Sequence, residues 1–146
     1  MSRCDNTRMS MEVYVLLDRS RLPTRDDWQR QLDRAGISVG LDPSLQPRGA
    51  SGFQPMTFHN ELAGCEVYVG EVGGGTCPEA LVPYLNDRRT LATFRWGGNL
   101  TEMAVGLAAA STLAVLTDGI YLDPQEETIL EGPAALAMAQ GELANL

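Results

Sequence analysis

Lysine is absent from this chain: all eleven cationic residues are arginine, and His59 is the only histidine. The first absence removes a P-loop lysine and Schiff-base chemistry from consideration. The second means that any Ser–His–Asp or Cys–His nucleophilic site would have to use His59, which falls in an expected turn between two strands. Cysteine is scarce as well. Cys4, Cys65 and Cys77 form no CxxC pair, and their odd number argues against a disulfide framework or a structural zinc site. A Cys65–Cys77 bridge is the one pairing left open. No apolar run approaches the roughly 18 residues that span a bilayer; the richest stretch, Ala104 to Leu116, is short and mostly alanine. The polar opening, Met1-Ser-Arg-Cys-Asp-Asn-Thr-Arg, has no apolar core of a secretory signal. A cytoplasmic location without membrane attachment is the expectation.

Charge is distributed unevenly. Residues 1–60 hold eight arginines and seven acids, for a net of +1; residues 61–146 hold three arginines and twelve acids, for a net of −9. These sum to the formal charge of −8. After Arg95 there are seven acids and no cation. A chain with a pI near 4.5 is repelled by nucleic acid and anionic membrane and attracted to basic partners. At 146 residues it is long enough to bury a core without staples and short enough to be one domain.

Residues 1–10 read as a disordered leader and 11–146 as a single α+β domain. Met11 to Asp18 alternates as a strand, with Met11, Val13, Val15 and Leu17 on one face. Thr24 caps an expected helix over Arg25 to Ala35 that faces Trp28, Leu32 and Ala35 inward and stops at Gly36. Ile37 to Leu41 reads as the next strand, and 42–55 as a proline-rich loop. Phe53 to Phe58 and Cys65 to Val72 read as a hairpin. A short helix over Pro78 to Leu85 is limited by Pro83. Thr90 to Trp96 alternates cleanly, with Ala92, Phe94 and Trp96 on one face and Arg95 on the other. Asn99, with Glu102 three places on, is a capping-box pattern for a helix to about Leu116, striped by Leu100, Met103, Leu107, Ala110 and Ala114. Thr117-Asp-Gly119 ends it. Ile120 to Asp123 is a short strand, Gln125 to Gly132 is acidic and partly extended, and Pro133 opens a terminal helix. The order predicts a mixed, mainly antiparallel sheet with two main helices on one face. It takes the form of ferredoxin-like β-α-β halves around a hairpin, plus an extra C-terminal helix.

No constellation in this order is a catalytic set. Gly73-Gly-Gly-Thr lacks the GK[ST] ending of a phosphate loop and lies among acids. Gly97-Gly98 fits a tight turn whose following N–H groups Asn99 satisfies. A carboxylate metal site at Asp123, Glu126 and Glu127 lacks the EF-hand spacing and loop glycine. No cofactor is expected. Arg95 has two readings, paired with a neighbouring acid such as Glu71 or facing a partner. The six acids from Asp118 to Glu142 also have two, a solvated face or an anionic surface for a basic partner.

The segments Thr93-Phe-Arg-Trp-Gly-Gly-Asn-Leu, Leu107-Ala-Ala-Ala to Leu116-Thr-Asp-Gly, and Tyr121-Leu-Asp-Pro-Gln resemble a TFRWGG(D/N)…LTxG…DPQ pattern. That pattern belongs to a family of small bacterial proteins of mostly unassigned function. The likeness extends to Leu22-Pro-Thr-Arg-Asp-Asp-Trp and Ser51-Gly-Phe. The matching residues are turn, cap and core types, so the resemblance implies fold and carries no catalytic residue across. Small acidic proteins of this kind are similar to immunity proteins that neutralise a toxin of an interbacterial secretion system. The resemblance therefore implies a non-enzymatic binding protein with a locally basic toxin domain as partner. Arg95, Asp123, Glu126, Glu127 and Glu131 are its candidate contacts. The alternative is a small-molecule-binding or regulatory domain with a pocket lined by Trp28, Tyr68 and Trp96.

Overall fold

Alternation in Thr90-Leu-Ala-Thr-Phe-Arg-Trp sets the sheet. Ala92, Phe94 and Trp96 are buried beneath helices, whereas Leu91, Thr93 and Arg95 are half-buried on the reverse face. In the computed structural model, which describes residues 11–73 and 77–146, this strand is the fifth of seven. The strands are β1 (Met11–Leu17), β2 (Val39–Leu41), β3 (Ser51–Phe58), β4 (Glu61–Glu71), β5 (Thr90–Trp96), β6 (Ile120–Asp123) and β7 (Thr128–Glu131). The helices are α1 (Arg25–Arg34), α2 (Leu100–Thr117) and α3 (Gly132–Leu143).

The sheet order is β2-β3-β4-β5-β1-β6-β7, with every neighbouring pair antiparallel. It follows that β5 and β6 run parallel with β1 between them, and that β1 and β2 run parallel across β3, β4 and β5. These are two interleaved β-α-β units, the α+β arrangement expected, widened by the β3–β4 hairpin between β2 and β5. The hairpin turns on two residues, His59 and Asn60, both with positive φ (51° and 69°), as a type I′ turn requires. This tight turn starts β4 at Glu61, four residues before the position the alternation suggests. Similarly, β2 begins at Val39 rather than Ile37, because Gly36 (φ 74°) and Ile37 are still closing α1. Their N–H groups donate to the Asp33 and Leu32 carbonyls at 3.0 and 3.1 Å.

α2 lies in the centre of the helical layer, contacting the sheet and both α1 and α3. Asn99 Oδ1 accepts the N–H groups of Thr101 (2.7 Å) and Glu102 (3.1 Å), while Glu102 reaches back past the cap to the Gly97 N–H at 3.3 Å. Asp118, in the left-handed conformation (φ 52°), ends the helix. From Ala104 to Ala114 every residue is buried, Ser111 and Thr112 included, so the expected stripe is really a stretch enclosed on all sides, and Leu100 is exposed instead. Its length and composition would suffice to cross a membrane, yet two thirds of it is enclosed by the fold. Trp28 fastens α1 to α2. Its indole N–H donates to Thr112 Oγ1 (3.0 Å) and the Ala109 carbonyl (3.2 Å), and its ring meets Phe94 edge-on at 6.3 Å. On the reverse face the 3-10 helix Glu79–Tyr84 covers Leu16, Ile120 and Leu122 with Leu81, and Tyr14, Leu91 and Ile129 pack against this smaller cluster. Cys65 and Cys77 are free thiols packed in the clusters on opposite faces of the sheet, so no bridge joins them.

Candidate functional site: an acid-rimmed cavity at Tyr121

β6 is short and apolar because it is enclosed, paired with β1 on one side and β7 on the other. Its alternation sends Ile120 and Leu122 to the reverse face and Tyr121 into the helical layer. Tyr121 is fully buried, and its hydroxyl has no hydrogen-bond partner among the described residues. A buried polar atom without a partner is uncommon, since it forfeits hydration without compensation. Burial pushes the phenol pKa well above its ordinary value, and the charges of Asp123 and Glu142 push it further, so the hydroxyl stays protonated.

Tyr121 lines a cavity of about 450 Å³ between the sheet, α2 and α3. Met11, Trp96, Met103, Leu107 and Met138 form apolar walls; Asp123, Glu126, Thr128 and Glu142 supply the polar lining. Trp96 takes its place there because residue 106 is glycine: a Cβ on Gly106 would stand 2.4 Å from the indole Cε3. Asp123 Oδ1 closes the β6–β7 turn, accepting the N–H groups of Gln125 (3.0 Å) and Glu126 (3.2 Å). Glu126 is exposed, and Glu127 occupies the turn at φ 53°. None of Asp123, Glu126, Glu127, Glu131 and Glu142 forms an ion pair among the described residues. The region therefore keeps its negative field, attracting cations and repelling anions.

Of the expected contact residues, Asp123 and Glu126 come together at this cavity. Glu127 sits beside them on the turn. Glu131 pairs with Ile120 and so faces the reverse side of the hairpin. Arg95 also lies on that reverse face, and its pairing differs from expectation. Register sets Arg95 opposite Glu12 on β1 and Glu66 on β4. Its Nε and Nη2 donate to Glu12 Oε2 at 3.0 and 2.7 Å, and Nη1 lies 3.9 Å from Glu66. Glu71, five positions along the ladder, is opposite Thr90 and instead meets Arg19 at 3.4 Å. Tyr14 and Tyr68 donate to the same two carboxylates, of Glu12 and Glu66 respectively, and the guanidinium lies 5.9 Å from the Tyr68 ring centroid. Arg95 is thus held between two acids.

The expected pocket of Trp28, Tyr68 and Trp96 does not form. Trp28 is a core anchor, Tyr68 lies on the reverse face, and only Trp96 borders the cavity. His59 is exposed in its turn and stacks on Phe58 at 4.0 Å. Cys65 is sealed under the helices, its thiol pushed up to about 12 by burial and, secondarily, by Glu102 and Glu66, so it is not a thiolate nucleophile at neutral pH. No group of three or more His, Cys, Asp or Glu among the described residues is placed to hold a metal ion. The Gly73 loop reading falls mostly on residues 74–76, and the leader on residues 1–10; both lie outside the described residues. Sequence reasoning missed Tyr121, Met138 and Glu142 as site residues. The spacing of Met138 and Glu142, four apart on one helix, was the available signal. Comparison with protein-family models, with curated proteins and with solved structures finds no match.

Proposed function

We propose that this chain is a non-enzymatic binding protein that captures a locally basic protein partner at its β6–β7 end, and that it acts as an immunity protein or antitoxin neutralising a cognate toxin by direct contact. One observation carries the reading. Asp123, Glu126, Glu127 and Glu142 surround the β6–β7 end without an ion-pair partner among the described residues. Unneutralised carboxylates at one end steer a basic partner and set its orientation. Arg95 is less suited to this role, because Glu12 and Glu66 already occupy its guanidinium. The resemblance to small bacterial proteins agrees with the reading, as does the excess of acids after Arg95.

The test is calorimetric titration of the chain against the purified product of the neighbouring reading frame. Binding should weaken at least about tenfold in the variant Asp123→Asn, Glu126→Gln, Glu127→Gln, and should fall steeply with salt. Unchanged affinity in that variant, with the fold intact by circular dichroism, rejects this surface; absence of any binding rejects the partner assignment. A second reading, a small-molecule-binding or regulatory domain, is favoured by the 450 Å³ cavity beside Trp96.

A further inference from the structure

The two outer edges of the sheet are finished differently. β7 closes one side with four residues that end in Glu131 and directly follow Glu127. A second copy brought against that edge sets like charges side by side, which protects an edge strand from self-pairing. β2 closes the other side as Val39-Gly40-Leu41 and carries no charge. An uncharged edge with free backbone groups is a template for pairing with another chain.

Register decides which backbone groups of β2 point outward. The His59 N–H donates to the Ser38 carbonyl at 3.0 Å, so Ser38 and Gly40 turn their hydrogen-bonding groups towards β3. Val39 and Leu41 therefore turn theirs away from the sheet, and two side chains of α1 meet them there. Gln29 Nε2 donates to the Val39 carbonyl at 2.9 Å, and Gln29 Oε1 accepts the Leu41 N–H at 2.8 Å. One side-chain amide thus stands in for the backbone of an added strand. Its Nε2 also donates to Asp33 Oδ1 at 3.0 Å, which fixes its orientation. Beside it, Arg25 donates to the Leu41 carbonyl through Nη2 and to the Asp42 carbonyl through Nε at 3.3 Å. α1 is seated separately by the buried Trp28 and Leu32, so its position does not depend on these two side chains.

We infer that Gln29 and Arg25 form an autoinhibitory guard on the β2 edge, and that the occupant they exclude is the β2 edge of a second copy. In an antiparallel pair with its twofold axis at Gly40, Val39 exchanges N–H and C=O bonds with the partner's Leu41. Those are the groups that the guard now holds. Gly40 has no side chain to obstruct the approach at the axis. The inference is independent of the proposed partner site, because β2 and β7 lie at opposite edges of the sheet.

The test is sedimentation velocity with amide hydrogen exchange on the full chain, the double variant Arg25→Ala, Gln29→Ala, and Gln29→Glu. The glutamate keeps the side-chain length but sets a carboxylate against the Val39 carbonyl and Asp33, so it opens the edge should the double variant not fold. Each folded variant should rise from 15.8 kDa towards twice that mass between about 1 and 100 µM, where the native chain does not. In dilute solution the Leu41 N–H should exchange about tenfold faster than in the native chain. On association the Val39 and Leu41 N–H groups should become protected, with no change in Thr128–Glu131. Folded variants that stay monomeric overturn the inference. So do association with protection at β7 instead of β2, unchanged Leu41 exchange in the dilute variants, or a native chain that already pairs through β2.

Discussion

Replacing Tyr121 with phenylalanine should stabilise the ligand-free protein. The substitution removes one oxygen and keeps the ring that packs beneath α2 and α3. The hydroxyl is fully buried and has no partner among the described residues, so its removal gives up no hydrogen bond in the fold. An unsatisfied buried hydroxyl costs about 1–3 kcal/mol. The oxygen has almost no accessible surface, so water gives it little relief, and a gain of at least about 1 kcal/mol is expected. For a chain of this length that corresponds to a rise in Tm of roughly 2–4 °C at neutral pH. The pH dependence carries a second signature. The folded-state pKa of Tyr121 is raised above its ordinary value near 10, so the unfolded chain releases this proton first as pH increases. The stability linked to the neutral phenol is fully present below pH 10 and is lost as pH rises beyond it. Phenylalanine does not titrate, so the advantage of the variant should widen above pH 10 by about 1.4 kcal/mol per pH unit. Urea denaturation of both proteins at neutral pH and across the alkaline range measures both effects. If the variant is less stable at neutral pH by about 1 kcal/mol or more, the hydroxyl is hydrogen-bonded after all and the account of the cavity fails.

Three further outcomes are expected. Gly106→Ala places a Cβ 2.4 and 2.7 Å from the Trp96 ring, so the indole must move. The overpacking cost of about 1–3 kcal/mol outweighs a helix-propensity gain of about 1 kcal/mol, and both the melting temperature and the tryptophan fluorescence should change. The double variant His59→Asn, Asn60→Gly fits the type I′ turn better than the native pair and should stabilise by about 1 kcal/mol in chemical denaturation, with the sheet unchanged. Arg95→Ala leaves Glu12 and Glu66 on neighbouring positions of the ladder without their shared cation. Because the guanidinium is partly exposed, the cost should be only about 1 kcal/mol in a thermal melt, and partner affinity should stay within about threefold.

Elements with strong local signals were legible in the sequence. The alternation of β1 and β5, Thr24 and Asn99 as helix caps, and Gly36 as a helix terminator all sit where side-chain chemistry places them. Features set by partners were not. β7 is a half-buried edge strand whose existence depends on pairing with β6, so its residues Thr128–Glu131 show no alternation of their own. The partner of Arg95 follows from register across three strands, which no single segment encodes. The cavity is further still from local sequence: its walls come from β1, β5, β6, α2 and α3. Tyr121 looks like any core residue of a short strand until the lack of a partner for its hydroxyl is apparent. Asp123 and Glu126 were readable as acids in a turn, but their proximity to Glu142 depends on how α3 returns across the sheet.

In the proposed function the partner docks at the β6–β7 turn and the adjoining face of α3, and the Arg95 ladder is structural support. The most direct test is a map of amide chemical-shift changes as the proposed partner, the product of the neighbouring reading frame, is added to the labelled chain. Changes should concentrate in residues 121–128 and 138–142, with Trp96 included and Glu12, Glu66 and Arg95 unaffected. Changes centred on Glu12, Glu66, Tyr68 and Arg95, with Tyr121 and Glu142 unaffected, would contradict the proposed function.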